Sequence, residues 1–349
     1  MRRISKLTRV AVGVASIALA ATACGGTSSD GGDSGDKEDL GLAIAYDIGG
    51  KGDQSFNDAA YAGLQKAQKE FGYKTADIEP TEGETDADKE QRLASLAKQG
   101  YNPVIGVGFA YGPAMEAVSK DYPDTTFGIV DSVVEGKNVA SLVFAEQEAS
   151  YLAGVAAAKA TKSNTVGFVG GVDVPLIHKF EAGYQQGVQD TSGGKVKVIS
   201  QYLTQTAEEG GFSSPDKGKA AAEGQIEKGA DVIYAAAGLS GQGVIEAASK
   251  AGVWAIGVDS DQYRQEALSA YKGKILTSAL KDVGGAVYTL ASSVQDGKPL
   301  TGVQTFDLKV NGVGLAESNP EFAKIAGLAD AVAKAKEGIT SGEIKVKSE

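Results

Sequence analysis

The sequence predicts an α/β protein of two lobes, each a parallel sheet flanked by helices. Two observations carry this expectation: short apolar runs alternate with stretches of helical spacing, and the ~310 residues of the body exceed what one ordinary core holds. The runs, rich in Val, Ile, Phe and Tyr, fall at 41–46, 103–107, 126–130, 165–169, 196–202, 231–235, 253–258 and 275–278. Their length and β-branched content read as strands. Between them, 55–71, 86–99, 112–121, 146–161, 174–190, 216–228, 241–251 and 280–296 place Ala, Leu, Val and Tyr on one side and Lys, Glu or Gln on the other, which is the spacing of amphipathic helices. Strand and helix alternating in this way imply parallel strands joined by helical crossovers.

The N-terminus reads as a processed leader. Residues 1–9 carry four cations and no anion, Val10 to Ala21 form a mostly apolar run, and Ala21-Thr22-Ala23 supply small residues before Cys24. That run is too short for the ~20 residues that span a bilayer, so a lipoprotein signal peptide over 1–23 is expected. Cys24 is the only cysteine in 349 residues and is the expected lipidation site, although Ala21 stands where such signals usually have Leu. A lone exposed thiol in an oxidising space would be a liability, whereas a thioether to lipid uses it. Residues 25–39 hold five Gly, three Ser and four Asp and no aliphatic side chain, a composition that cannot build a core. They read as a flexible tether from Cys24, spanning on the order of 20 Å.

Charge excludes one class of partner. The formal net charge is −11, and the leader takes four cations with it, so the chain from Cys24 onward carries −15. No basic stripe interrupts the body, and nucleic acid is not an expected partner. Without further cysteines there is no disulfide, zinc cluster or thiol nucleophile.

In parallel sheets, ligands sit beyond the carboxyl ends of strands, which directs attention to the polar residues after each apolar run. Asp47 follows the first, then a glycine-rich turn and Asp53-Gln54-Ser55-Phe56-Asn57-Asp58 at a helix start. Asp131 ends the run at 126–130, Ala236-Ala237-Gly238 follow 231–235, Asp259-Ser260-Asp261-Gln262 follow 253–258, and Lys281 follows 275–278. Asp and Ser after strands also serve as ordinary helix N-caps. As a set, carboxylates and a lysine gathered on one rim describe a binding cleft. The turn at 49–52 has neither the dinucleotide fingerprint nor a P-loop lysine, and the acidic stretch 30–39 lacks calcium-loop spacing. His178, the only histidine, reads as a surface or hinge residue, and Trp254 as core.

Eight segments in order carry a resemblance: DIGGKGDQSFND at 47–58, YPDTTFGIVD at 122–131, EASYLAG at 148–154, GGVDVPLIHKFEAGYQQG at 170–187, FSSPDKGKA at 212–220, GADVIYAAAG at 229–238, GVDSDQ at 257–262 and TSALKDVGGAVY at 277–288. Over residues 40 to about 320 the chain resembles the basic membrane lipoprotein family, nucleoside-binding lipoproteins that serve ATP-binding-cassette importers. The resemblance implies a two-lobed type I periplasmic-binding-protein fold with the ligand between the lobes. On this sequence the first lobe is expected at 40–143 plus 279–300 and the second at 144–278 plus 301–349, with crossings near Phe144, Lys281 and Leu300.

The family pattern, carried over residue by residue, implies a nucleoside base between Phe56 and Phe212, and both phenylalanines lie in polar, turn-rich stretches rather than apolar runs. It implies that Asp259 and Lys281 hold the ribose and that Asp47 and Asn57 contact the ligand's polar edge. A vicinal diol presents two donors that one carboxylate accepts together, and a lysine beside it offsets a charge that is costly to bury. Asp131 is a further candidate base contact, and Gly238 would let backbone approach the ligand. The implied protein is a monomer with no cofactor or metal, partnered by a permease and ATPase at the outer face of the cell membrane. A sugar-binding protein, or a sensor or adhesin on the same scaffold, remains open. A nucleoside hydrolase is disfavoured, because no second Asp-rich segment has metal spacing and no histidine is placed as an acid.

Overall fold

The computed structural model describes residues 40–349. The signal segment, Cys24 and the tether expected over 25–39 lie outside the described residues.

The described residues form two six-stranded sheets. β1 (Leu40–Ala45), α1 (Phe56–Phe71), β2 (Lys74–Ile78), α2 (Asp86–Lys98), β3 (Val104–Gly106), α3 (Gly112–Asp121), β4 (Phe127–Val130) and β5 (Val139–Phe144) open the first lobe. The second follows with α4 (Glu146–Ala160), β6 (Thr165–Val172), α5 (Pro175–Ser192), β7 (Lys197–Thr204), α6 (Pro215–Glu227), β8 (Val232–Ala236), α7 (Gly241–Ala251), β9 (Trp254–Asp259) and β10 (Ile275–Lys281). Then come α8 (Val283–Gln295), β11 (Gly302–Phe306), β12 (Val313–Leu315), α9 (Pro320–Lys324) and α10 (Leu328–Ser341).

The first sheet runs β11-β5-β4-β3-β1-β2 and is parallel throughout. The second runs β12-β10-β9-β8-β6-β7, parallel except for β12, which lies antiparallel to β10. Central strands such as β3, β4 and β8 are buried along their whole length, because helices cover both faces. Their near-continuous apolar sequences follow from that.

Two boundaries differ from the expected ones. Ala279 to Lys281 belong to β10 of the second sheet, and Gly302–Phe306 pairs in register with β5 as an edge of the first, so the third crossing falls after Phe306 rather than near Leu300. Pairing of Gly302 with Ala140 through Phe306 with Phe144 extends the first sheet by one strand before the chain returns. At that return the Phe144 and Phe306 rings stack, centroids 5.2 Å apart.

Helix packing brings α5 toward the cleft. A Cβ on Gly183 would lie 2.1 Å from the Gln147 carbonyl oxygen, and one on Gly187 would lie 2.1 Å from that of Tyr151, so α4 and α5 approach as closely as only glycine permits. Trp254, expected in the core, is only half-buried, with the Lys274 ammonium 5.1 Å from its ring.

Candidate functional site between the lobes

The glycine-rich turn after β1 delivers α1 with its first residues already fixed. Asp53, buried, accepts hydrogen bonds from the backbone N–H groups of Ser55 (2.9 Å), Asn57 (2.8 Å) and Asp58 (3.2 Å), satisfying the donors that a helix start leaves free. Phe56 is thereby held at the first helical position. The Asn57 side chain accepts from the Asp47 N–H at 3.0 Å and donates to Asp53 at 3.2 Å, tying the end of β1 to the helix.

Two further carboxylates end strands in strained backbone. Asp131 after β4 has φ +67° and Asp259, closing β9, has φ +61°, a region that non-glycine residues rarely enter and that clusters at functional sites. Between them stands Lys281, the last residue of β10. Its ammonium donates to Asp131 Oδ2, lies 3.5 Å from Glu146 Oε1, and sits 5.0 Å from the Phe56 and Phe144 ring centroids and 5.6 Å from that of Phe180. A buried cation thus has carboxylates and aromatic faces in place of water.

Phe212 comes from the loop between β7 and α6. Its ring lies against the backbone of Gly171, where a Cβ would be 2.4 Å from the ring, and meets Phe109 edge-on at 6.5 Å. Gly238, at φ +53°, packs against the backbone and Cβ of Phe212, so it supports that ring.

These groups line one cavity between the lobes. All eight expected positions, Asp47, Phe56, Asn57, Asp131, Phe212, Gly238, Asp259 and Lys281, are on its walls. So are Asp53, named from the sequence only as part of the strand-end rim, and Phe109, Ile177 and Phe180, which the sequence did not single out. Phe109 follows the end of β3 and was open to the strand-end rule applied elsewhere. Phe180 carries no such signal, since it occupies an apolar position of a helix. His178, on the same helix, faces away to Asp173 Oδ1 at 2.6 Å.

Burial sets the electrostatics. It pushes the Asp47 carboxyl up to about 7, against the bond from the Ile48 N–H, and Asp259 up to about 6, against the Lys281 charge and the Ser55 hydroxyl. Burial raises Asp53 to about 6 in the same way, against three backbone donors. For Lys281 burial works downward, but Asp131, Glu146 and Asp259 outweigh it and hold the ammonium well above its ordinary value. Asp131 Oδ1 is buried without a hydrogen-bond partner. The cavity therefore offers flat apolar faces, unspent acceptors and one fixed cation, the chemistry of a site for a planar molecule rich in donors.

The lobes meet across this cavity. Ser260 Oγ donates to the Ser55 carbonyl at 2.8 Å, Gln262 Nε2 to that of Gln54 at 3.1 Å, and Gln242 Nε2 to that of Gly52 at 3.0 Å. Among the described residues no cluster of three or more His, Cys, Asp or Glu is placed to hold a metal, and no helix is long and apolar enough to cross a membrane.

Comparison with known proteins decides the family. The model for PnrA-like ABC transporter substrate-binding proteins, Bmp, matches residues 42–349. The chain belongs to the Bmp family. It is accordingly a substrate-binding protein of the nucleoside-binding type rather than an enzyme. Its relatives include the ABC transporter nucleoside-binding protein BmpA of Lactococcus lactis, 38% identical over 97% of this chain and 98% of that one. Basic membrane protein D of Borreliella burgdorferi is 31% identical over 84% of each chain. Among solved structures, an ABC transporter solute-binding protein from Aeropyrum pernix superposes with a TM-score of 0.77 at 29% identity, over 89% of this chain and 94% of its own. The two-lobed α/β architecture of this Bmp protein is that of type I periplasmic binding proteins.

Proposed function

We propose that this protein captures a nucleoside, a purine nucleoside for preference, between its lobes and delivers it to the permease of an ABC importer. The observation that carries the reading is the convergence of Phe56 and Phe212 from opposite lobes on the cavity that also presents Asp259 and Lys281. A heteroaromatic base has two faces, and two phenyl rings cover both, each aromatic pair contributing ~0.5–1.5 kcal/mol beyond the area buried. Asp259 accepts from the ribose diol while Lys281 donates to ribose oxygens. Asp47 takes donors on the base edge, and Asn57 holds Asp47 and presents the remaining proton of its amide. The free Oδ1 of Asp131 is a further acceptor for the ligand. The protein works as a monomer anchored through lipidated Cys24 on the outer face of the membrane, so that it diffuses beside its importer. Closure of the lobes around the ligand makes the surface the permease reads.

A calorimetric panel of nucleosides, free bases and pentoses against the chain from Glu38 onward tests this. Binding of purine nucleosides with no binding of ribose is the expected result. Binding of ribose alone would turn the reading to sugar transport.

A further inference from the structure

Glu146 is the first residue of α4, directly after the first crossing between the lobes. Its side chain is 1% exposed and is not on the cavity wall. One carboxylate oxygen, Oε1, lies 3.5 Å from the Lys281 ammonium at the second crossing, and the other, Oε2, lies 3.4 Å from the Lys179 ammonium on α5. Two residues further along α4, Glu148 accepts from the Leu308 N–H at 2.9 Å, beside the third crossing. The start of α4 therefore fastens all three crossings, and Glu146 is the member of this group that reaches the ligand-facing lysine from behind.

We propose that Glu146 is a positioning residue for ligand binding, acting through Lys281. Resting on the nucleoside reading above, this assigns a role to a side chain that touches no ligand. The Lys281 ammonium is hydrogen-bonded to Asp131 of the first lobe and attracted by Asp259 of the second. Those two carboxylates belong one to each lobe, and hinge opening separates them. The Glu146 carboxylate supplies a third point of attraction, fixed in the pivot, where lobe rotation moves it least. Through Lys179 the same carboxylate also steadies α5, whose Ile177 and Phe180 line the cavity.

The test is a double-mutant cycle on the full chain, reading the dissociation constant of one purine nucleoside by calorimetry for wild type, Glu146→Gln, Lys281→Met and the double variant. Glu146→Gln removes one negative charge from a cluster with more carboxylates than ammonium groups, so it is expected to fold, which a melting curve checks. Glu146→Gln should weaken binding roughly tenfold or more, and in the Lys281→Met background it should weaken it by less than about twofold. Glu146→Asp, which keeps the charge, should recover most of the loss. Unchanged affinity in Glu146→Gln overturns the proposal, as does a double variant whose loss is the product of the two single losses, because that is what general loosening gives. Should Glu146→Gln not fold, Lys179→Met is read in its place, with a loss of roughly two- to fivefold that again vanishes without Lys281. A wild-type protein that binds no nucleoside at all refutes the nucleoside reading itself, a different result from a binding wild type with an indifferent Glu146.

Discussion

Ser55 of the first lobe donates its hydroxyl to Oδ2 of Asp259 in the second, 2.5 Å across the cleft. The same hydroxyl reaches the Val258 carbonyl at 3.3 Å, and Ser260 returns a bond to the Ser55 carbonyl. One residue before Phe56 thus latches the lobes at the carboxylate proposed to hold the ribose. Oδ1 of Asp259 is left to accept from the ligand.

Removing this latch should open the molecule. Ser55→Ala loses one bond to a charged acceptor, and affinity for a nucleoside should fall by about 1–2 kcal/mol, roughly five- to thirtyfold. Small-angle scattering of the variant without nucleoside should give a larger radius of gyration than wild type. Equal radii and equal affinities would show that the bond does not hold the lobes.

Asp259→Ala should weaken nucleoside binding by ~1.5–3 kcal/mol, about ten- to over a hundredfold, since charged hydrogen bonds to the sugar are lost. Calorimetry that finds the affinity unchanged removes Asp259 from the site.

Phe212→Ala tests the stacking wall with little risk to the fold, because the ring sits on a loop against Gly171 and Phe109 rather than in a strand. Loss of the ring should cost about 1.5–3 kcal/mol of nucleoside affinity, from area no longer buried plus the lost stacking. Affinity for a free base should fall in parallel, since the ring contacts the base and not the sugar. A variant that loses the nucleoside but keeps the base would place Phe212 against the ribose.

The raised acids give a pH dependence with a definite sign. In the unfolded chain Asp47 titrates near about 3.9, whereas burial holds it at about 7 in the fold. The folded state keeps this proton to higher pH, so its contribution to stability is greatest below the unfolded value and is lost as pH rises through about 7. Asp47→Asn should therefore raise the melting temperature measured without nucleoside, more at pH 8 than at pH 5, while weakening nucleoside binding. For the wild type, donors on the ligand favour the ionised forms of Asp47 and Asp259, so affinity should climb from pH 5 to pH 8 and binding near pH 6.5 should release protons. Uptake of protons instead would mean that a carboxyl binds in its neutral form.

What the sequence disclosed follows from where each residue sits in its element. β3, β4, β8 and β9 are buried by helices on both sides and so read as unbroken apolar runs, and the residues that end them, Asp131 and Asp259 among them, stood out by contrast. β2 and β11 are sheet edges with exposed positions, and their mixed sequences KTADI and GVQTF carry no run to recognise. The boundary placed at Leu300 failed for that reason. Within the site, Phe56 and Phe212 came from the family resemblance, with their polar neighbours in mild support, whereas Phe180 and Glu146 look like the apolar and charged faces of ordinary helices. Only the packing of α4, α5 and β10 turns those two toward Lys281.

A crystal structure of the protein grown with a purine nucleoside tests the central claim most directly. The base should lie between the Phe56 and Phe212 rings, with the ribose hydroxyls on Asp259 and Lys281 and the base edge at Asp47. Density for the nucleoside elsewhere, with the two rings in contact with each other or with protein alone, would contradict the account.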